Sequence, residues 1–172
     1  MKKTTGSYPR LAVDAKGGSA VGQAGGVLLT SAIRAAGLDA GLSAALAPWG
    51  PANATHDPAK VVLDLALTLA LGGDTCSDLA VVRAEPAVFG PVASDPTLSR
   101  TITRLAGDVV KVLAAIDRAR ADARSRVWAA AGPHAPDHGA DARRPLVVDV
   151  DATLVTSHRP GMSTGSWPVS GP

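Results

Sequence analysis

Apolar residues recur at intervals of three and four positions across residues 25–131. This spacing places them on one face of an α-helix, and it differs from the alternation typical of a half-buried strand. The breaks between the periodic stretches contain glycine or proline, which end helices. The pattern therefore predicts a helical domain of several helices over residues 25–131.

Local signals mark several of the predicted helix ends. Gly37 is expected to end the first helix in a left-handed conformation, as a C-terminal glycine does. Asp57 followed by Pro58 predicts an N-cap and a first helical residue, opening a helix that continues to Leu71. A further helix is expected after Asp74, with Pro86 closing it.

A cap-and-proline signal at residues 94–96 opens a short helix with two different faces. Leu98, Ile102 and Leu105 are predicted to point inward. The opposite face is polar and carries Thr97, Arg100, Thr101 and Arg104. A helix of this kind, preceded by another helix and a turn, is typical of helix-turn-helix DNA-binding proteins. An ordinary solvated helix also shows a polar face, so both interpretations stay open.

The pattern changes at residues 146–151, where apolar residues follow one another without a helical period. Such a run predicts one strand that is buried on both faces. Asp149 and Asp151 are two positions apart and so point to the same side at the carboxyl end of that strand. Carboxylates in such a position are suitable ligands for Mg²⁺ in phosphate chemistry. The alternative is that they cap a turn or the next helix.

The remaining segments lack clear periodicity. Residues 1–24 are polar and rich in glycine, which predicts a tail or a short β-hairpin. Residues 132–144 contain proline, glycine, histidine and aspartate, and a linker is favoured over a metal site because there are no partner cysteines. Residues 157–172 have no pattern that supports a helix or strand.

Composition supports a folded, mainly helical protein, since 46% of residues are hydrophobic and only 3% are aromatic. The single cysteine, Cys76, excludes an internal disulfide. Polar residues follow Lys2 and Lys3, unlike a signal peptide, and the longest apolar run is shorter than the ~20 residues that span a bilayer. We therefore expect a cytoplasmic protein without a membrane segment.

Net charge is only +2, so overall charge is a weak indication of nucleic-acid binding. Twelve of the 17 basic residues are arginine, and several lie between Arg100 and Arg126, where guanidinium groups can bind phosphates. The alternative is that an alanine- and arginine-rich sequence reflects a GC-rich genome. Asp117 and Asp122 interleave with the last four of these arginines, which favours a solvated face there.

Four segments occur in the same order as in DDE-type insertion-sequence transposases. They are Gly25-Gly26-Val27-Leu28-Leu29, the Leu67 to Asp78 segment with its glycine pair, the Ser94 to Arg100 motif, and Asp149-Val-Asp-Ala-Thr153. Over residues 10–156 the chain resembles the N-terminal part of such a transposase, in the insertion-sequence group numbered thirteen-eighty.

This resemblance implies a mainly α fold, in which an N-terminal helical DNA-binding region is followed by the first strand of a truncated ribonuclease-H-like α/β core at residues 145–156. It implies that the helices bind the terminal repeats of the element, with a homodimer as in transposition complexes. It also implies that Asp151 is the first of three acidic residues that hold two Mg²⁺ ions, with Asp149 as a neighbour.

The chain also departs from the family pattern. The second aspartate and the glutamate of the triad are missing, and the segment from His158 lacks the usual continuation, as a frameshift or truncation would produce. We therefore expect the chain alone to be inactive and not to bind Mg²⁺ stably. Two alternatives stay open: a haloacid-dehalogenase-like phosphatase fragment, in which Asp149 is the nucleophile and Asp151 the acid/base, or a free-standing helix-turn-helix module.

Overall fold

The computed structural model describes residues 7–10 and 25–149. Over these residues the chain forms seven α-helices and no β-strand, which confirms the prediction of a mainly helical protein. The helices are α1 (Gly25–Ala35), α2 (Leu38–Leu46), α3 (Pro58–Ala70), α4 (Leu79–Arg83), α5 (Pro86–Phe89), α6 (Asp95–Ala106) and α7 (Val109–Ala131). Short 3₁₀ turns occupy Ala47–Trp49, Cys76–Asp78 and Gly132–His134.

The chain divides after His138 into two compact units. In the first unit, α2 packs on α7 and α3, while α3 also contacts α4 and α6. The main core is formed by apolar side chains from most of these helices, among them Leu42, Leu46, Leu63, Leu67, Val82, Phe89, Leu105 and Val112. Each such side chain, when fully buried, contributes roughly 1.5 to 3 kcal/mol relative to exposure to water. The fold of this unit therefore rests on helix-to-helix packing.

Two predicted helix boundaries are confirmed. Gly37 has φ 66° and separates α1 from α2, a conformation that costs little without a side chain. The Asp57 carboxylate accepts a hydrogen bond from the Ala59 backbone N–H at 2.8 Å, and Pro58 is the first residue of α3. Both boundaries depend on interactions within a few residues, which is why the sequence predicts them.

The segment from Asp74 to Glu85 is not one helix as predicted. A 3₁₀ turn over Cys76–Asp78 precedes the short helix α4, and Pro86 begins α5 instead of closing the helix before it. The Asp78 carboxylate accepts hydrogen bonds from the backbone N–H groups of Asp74 and Thr75, at 2.9 and 2.8 Å. These bonds lower the pKa of Asp78 and hold the tight turn. A proline is tolerated at the start of a helix, where its missing N–H has no intrahelical partner.

The inward faces predicted for α6 and α7 are only partly correct. Leu98 and Leu105 are buried, but Ile102 is 37% exposed. For α7 the helical period predicts an inward face formed by Val109, Val112, Leu113, Ile116, Ala119, Ala123 and Val127. Of these, Val112, Ala119 and Ala123 are buried, whereas Val109, Leu113 and Val127 are exposed. The reason is geometric: α7 packs mainly along α2, so one stripe of its surface is covered and the apolar positions beside that stripe stay in solvent.

A buried ionic group joins α3 to the described N-terminal segment, residues 7–10. The Lys60 ammonium lies 2.5 and 2.7 Å from the two carboxylate oxygens of Asp64, one helical turn away. The Tyr8 hydroxyl donates to the same carboxylate at 3.0 Å, and the ammonium lies 4.5 Å from the centre of the Tyr8 ring. Arg34 on α1 donates to the Tyr8 carbonyl. These contacts fix Tyr8 on the helical core.

Burial perturbs all three side chains of this group. It lowers the pKa of Lys60 and raises the pKa of Asp64, because a charged form loses its hydration in the protein interior. It also raises the pKa of Tyr8, helped by the Asp64 charge. The ion pair, with its hydrogen bond from Tyr8, offsets this cost only while every partner is present.

The second unit is described from Gly139 to Asp149 and has neither helix nor strand over those residues. The Asp141 carboxylate accepts hydrogen bonds from the backbone of Arg143 and Arg144, which forms a turn. The prediction of a strand buried on both faces is wrong for Leu146–Asp149, since Leu146, Val147 and Val148 are 43%, 77% and 71% exposed. A buried strand requires neighbouring strands, and the described residues form none.

Several predictions fall outside the described residues. These are the N-terminal tail or hairpin, apart from residues 7–10, the continuation of the predicted strand through Asp151 to residue 156, and the irregular segment 157–172. Among the described helices, no single one has the length and hydropathy to cross a membrane. Gly25–Ala35 and Leu38–Trp49 reach that length and hydropathy only as a pair bent by 67°.

Candidate nucleic-acid interface

The four polar residues of α6 that were predicted to contact DNA line one groove in the first unit. The opposite wall is the loop before α3, and the groove has a volume of about 320 Å³. Its lining residues are Pro51, Ala54, Thr55, His56 and Pro58 from the loop and helix start, and Thr97, Arg100, Thr101 and Arg104 from α6. The structure thus brings all four predicted residues to one concave surface.

The rotation of α6 is set by its apolar side. Leu98 packs in a small cluster with Val61 of α3 and Leu79 of α4, and Leu105 joins the main core. Arg100 and Thr101 lie three and four positions after Thr97, and Arg104 lies four and three positions after them, so the four residues occupy one stripe of the helix beside the loop. The sequence predicts this stripe correctly because a twelve-residue helix with two buried leucines has few possible orientations.

The start of α6 is held by a guanidinium from α4. Arg83 donates to the Ala93 carbonyl at 2.8 Å and to the Asp95 carboxylate at 2.6 Å. Ser94 was predicted to cap the helix, but its hydroxyl instead donates to the hydroxyl of Thr97 at 3.1 Å and makes no capping bond to the backbone. Arg83 therefore replaces the expected cap as the contact that fixes this end of α6.

The segment before α6 differs from a helix-turn-helix. In that motif two helices are joined by a turn of three or four residues. Here α5 is a single turn of four residues, Pro86–Phe89, and five residues separate it from α6. The polar face of α6 is therefore paired with the loop before α3 and not with the helix immediately preceding it.

The loop wall is anchored at both ends. The Gly50 N–H donates to the Ala47 carbonyl at 3.0 Å, and the Ala54 N–H donates to the Pro51 carbonyl at 3.0 Å, which forms two successive turns. At the far end, the Asp57 carboxylate caps α3 and accepts a hydrogen bond from Ser43. Fixed turns and two prolines limit the motion of this wall.

The groove carries positive charge without an acidic counterpart. None of its nine lining residues is Asp or Glu. Arg100 donates to the Thr97 hydroxyl at 3.2 Å, and in residues 7–10 and 25–149 neither Arg100 nor Arg104 forms an ion pair. Guanidinium groups with free N–H donors in a concave surface bind phosphate oxygens. The site therefore suits an anionic ligand.

His56 is a groove residue that the sequence did not reveal. Its Nδ1 atom is buried and has no hydrogen-bond partner within the described part of the chain. Burial, and secondarily the charge of Lys60, lower the pKa of His56. A lone histidine in a loop of proline and asparagine gives no signal in the sequence, because its importance comes from sharing a groove with a helix more than 40 residues later.

The arginines of α7 have a different setting. Arg120 pairs with Asp117 at 3.2 Å, and a guanidinium N–H of Arg126 donates to the Gly37 carbonyl at 3.4 Å. Both side chains serve contacts within the protein. The expectation that some of this charge is locally paired is confirmed for Arg120.

The described residues contain no group of three histidine, cysteine or acidic side chains that could hold a metal ion. This includes His134, Asp137, His138 and Asp141, and the interpretation of residues 132–144 as a linker stays a prediction. Asp149 is exposed, and Asp151 lies outside the described residues. A carboxylate is a suitable ligand for Mg²⁺, but a single exposed one does not form a site. The predicted roles of Asp149 and Asp151 stay predictions.

Comparison with known proteins gives one clear relationship. A family model described as transposase DDE domain, group 1, matches residues 3–162 of the 172. No curated protein and no solved structure matches the chain. The matched residues include the helical unit, both walls of the groove, and Asp149 and Asp151. The chain therefore belongs to the family of transposases with a DDE domain, group 1.

Proposed function

We propose that the helical unit binds the DNA ends of an insertion element and that the α6 groove is its phosphate-binding surface. Membership of a DDE transposase family supports a function in transposition. The observation that carries the proposal is the groove, where Arg100 and Arg104 lie together without a neighbouring carboxylate. The four segments described above favour the insertion-sequence group numbered thirteen-eighty.

The groove is suited to positioning DNA on its phosphate backbone. Arg100 and Arg104 are four residues apart, so they project from successive turns of α6, about 6 Å apart along the axis. This spacing allows each guanidinium to contact a different phosphate of one strand. Thr101 donates its hydroxyl proton to the Thr97 carbonyl at 2.8 Å, so the guanidinium groups carry the contacts. Phosphate contacts fix the orientation of a protein on DNA and provide most of its salt-dependent affinity.

For the catalytic chemistry we propose that Asp151 is the first acidic residue of the triad, with Asp149 beside it. Bound metal ions supply stabilisation of the attacking and leaving oxygens in phosphoryl transfer, and DDE transposases generally use divalent metals. The carboxylates of these residues would serve as metal ligands. Residues 152–172 contain no Asp or Glu, so the sequence after Asp151 offers no further acidic ligand. The 172-residue chain alone is inactive on this account.

The corresponding domain arrangement has three parts. Residues 25–131 form the DNA-binding domain, residues 132–144 form a linker, and residues 145–156 begin the catalytic core. In this arrangement the DNA-binding groove lies entirely in the helical domain, so its affinity for DNA is expected to be independent of the metal ligands. We also propose that the protein self-associates as a homodimer and is located in the cytoplasm.

A salt titration of DNA binding tests the proposed groove. Fluorescence anisotropy with a labelled duplex, between about 50 and 200 mM salt, is expected to show a linear fall of log affinity with log salt. Replacing both arginines, in Arg100→Ala with Arg104→Ala, is expected to reduce that slope by about 1.8, which is 0.9 for each lost phosphate contact.

The matched control removes the same charge from another surface. Arg118→Ala with Arg120→Ala lowers the net charge by two on α7 and leaves the groove intact. This control is expected to keep most of the affinity and of the salt slope. Equal losses in the two double variants would show that overall charge, and not the groove, determines binding, and would refute the proposed site.

A further inference from the structure

We propose that His56 is a third phosphate contact in the groove and that it becomes charged when a DNA phosphodiester binds. DNA binding is then coupled to the uptake of one proton. This inference rests on the proposed function and adds a residue and a pH response to it. It starts from the position of His56 in the loop wall, across the groove from Arg100 and Arg104.

The free protein disfavours the charged form of His56. An imidazolium has two N–H donors, but Nδ1 is buried and finds no acceptor in the described chain. Burial and the nearby Lys60 ammonium both lower the pKa of His56. The Arg100 and Arg104 guanidinium groups, which line the same groove, add further positive charge. His56 is therefore neutral in the free protein at neutral pH.

None of the described residues that line the groove supplies an acidic group to offset these charges. Asp57 is the nearest carboxylate in the sequence, but it accepts hydrogen bonds from Ser43 and from the Ala59 backbone. With Ser43 it lines a neighbouring cavity to which no described residue of α6 contributes. The Asp57 carboxylate is thus committed to the start of α3, and the groove lacks a counter-charge.

A bound phosphodiester supplies the missing negative charge. An anion within about 4 to 6 Å favours the charged form of histidine and therefore raises its pKa. The second ring nitrogen, Nε2, has no hydrogen bond among the described residues and is not among the buried unpartnered atoms, so it stays accessible to solvent. This nitrogen is the donor available to a phosphate oxygen.

The direction of the pH effect follows from the higher pKa of His56 in the DNA complex than in the free protein. The complex binds a proton more tightly than the free protein, so affinity for DNA falls as the pH rises between the two pKa values of His56. Within that range the decrease approaches tenfold per pH unit for one coupled proton. Below the free-state pKa, His56 is charged in both states and the dependence disappears.

The test compares the wild type with His56→Gln at constant ionic strength, from about pH 5 to 8, where histidine is the side chain that ordinarily titrates. The wild type is expected to lose affinity with pH. His56→Gln, which has a similar size and no titration, is expected to lose the pH dependence and to bind as the wild type does at high pH. His134→Gln, outside the groove, is the matched control and is expected to keep the dependence.

A second readout follows His56 directly. Its ring signals, assigned with the His56→Gln variant, are titrated by NMR with and without a short duplex, and the pKa is expected to rise on binding. A His56 pKa that does not change on DNA binding would overturn the inference, and so would a pH dependence of DNA affinity that persists in His56→Gln. Neither result would affect the test of the groove by the arginine double variant. DNA binding unaffected by that arginine variant would instead refute the proposed function and this inference with it.

Discussion

The Lys60→Met variant is expected to lower the free energy of unfolding by about 3 to 5 kcal/mol, the cost of leaving one member of a buried ion pair without its partner. The side chains of Lys60 and Asp64 are 2% and 1% exposed, so water cannot replace the lost ammonium. Asp64 would keep only the hydrogen bond from Tyr8. For a domain of this size, the loss corresponds to a decrease in Tm of roughly 6 to 20 °C.

Two further variants separate the burial of charge from packing. Replacing both partners, in Lys60→Met with Asp64→Leu, removes both charges together and is expected to restore most of the lost stability. Lys111→Met removes an exposed ion pair with Asp108, whose atoms are 3.4 Å apart, and is expected to change the unfolding free energy by less than about 1 kcal/mol.

The assay is urea unfolding followed by circular dichroism at several pH values. Burial raises the folded-state pKa of Asp64, and removing Lys60 takes away a charge that lowers it. The folded Lys60→Met variant should therefore bind a proton at Asp64 more readily than the unfolded chain. The contribution of Asp64 to the stability of this variant is fully present below the unfolded carboxyl pKa, about 3.9, and is lost as the pH rises through the folded-state value.

The expected deficit of Lys60→Met relative to the wild type is thus largest near neutral pH and smaller in acid. A single variant as stable as the double variant at pH 7 would refute the reasoning. So would a deficit that does not change with pH, because it would show that the loss comes from packing and not from a buried charge.

Three other predictions concern packing, capping and activity. Gly26→Ala is expected to destabilise the protein by about 1 to 3 kcal/mol in thermal unfolding, because a Cβ at that position would lie 2.6 Å from the buried Phe89 ring. Its control is Gly25→Ala, whose Cβ meets no atom within 4 Å and which should leave the stability nearly unchanged. Asp57→Ala removes the N-cap of α3 and should cost about 1 kcal/mol; unchanged stability would contradict this role. The chain incubated with Mg²⁺ or Mn²⁺ should show no turnover of a terminal-repeat DNA or a phosphomonoester, and turnover abolished by Asp151→Ala would contradict this.

The sequence predicts the features that depend on neighbouring residues. The left-handed Gly37 and the Asp57 cap of α3 are examples, since each is decided within one turn of chain. Arg100 and Arg104 lie on the polar side of α6, as the helical period predicts, because the two buried leucines fix its rotation, and their contact with DNA stays a prediction. For these parts of the fold and the groove, local signals and the helical period are sufficient to predict the structure.

The remaining features depend on contacts that the sequence pattern does not specify. Leu113 satisfies the helical period of α7, but α2 covers only one stripe of that helix and leaves it exposed. The surroundings of His56 are set by α6 and Lys60, which lie outside the loop that contains it. Lys60 is itself buried in the core, a position that is unusual for a charged residue and that the sequence pattern does not predict. Leu146–Asp149 has the composition of a buried strand but no neighbouring strand among the described residues, so composition alone was misleading.

The most direct test of the account locates bound DNA on the helical unit by NMR. The full chain, labelled with ¹⁵N, is titrated with a short unlabelled duplex at low salt, and changes in backbone amide signals are mapped by residue. The account predicts the largest changes in the two groove walls, at Thr55, His56 and α6 from Thr97 to Arg104. Changes confined to the arginine face of α7, with both groove walls unaffected at saturation, would contradict it.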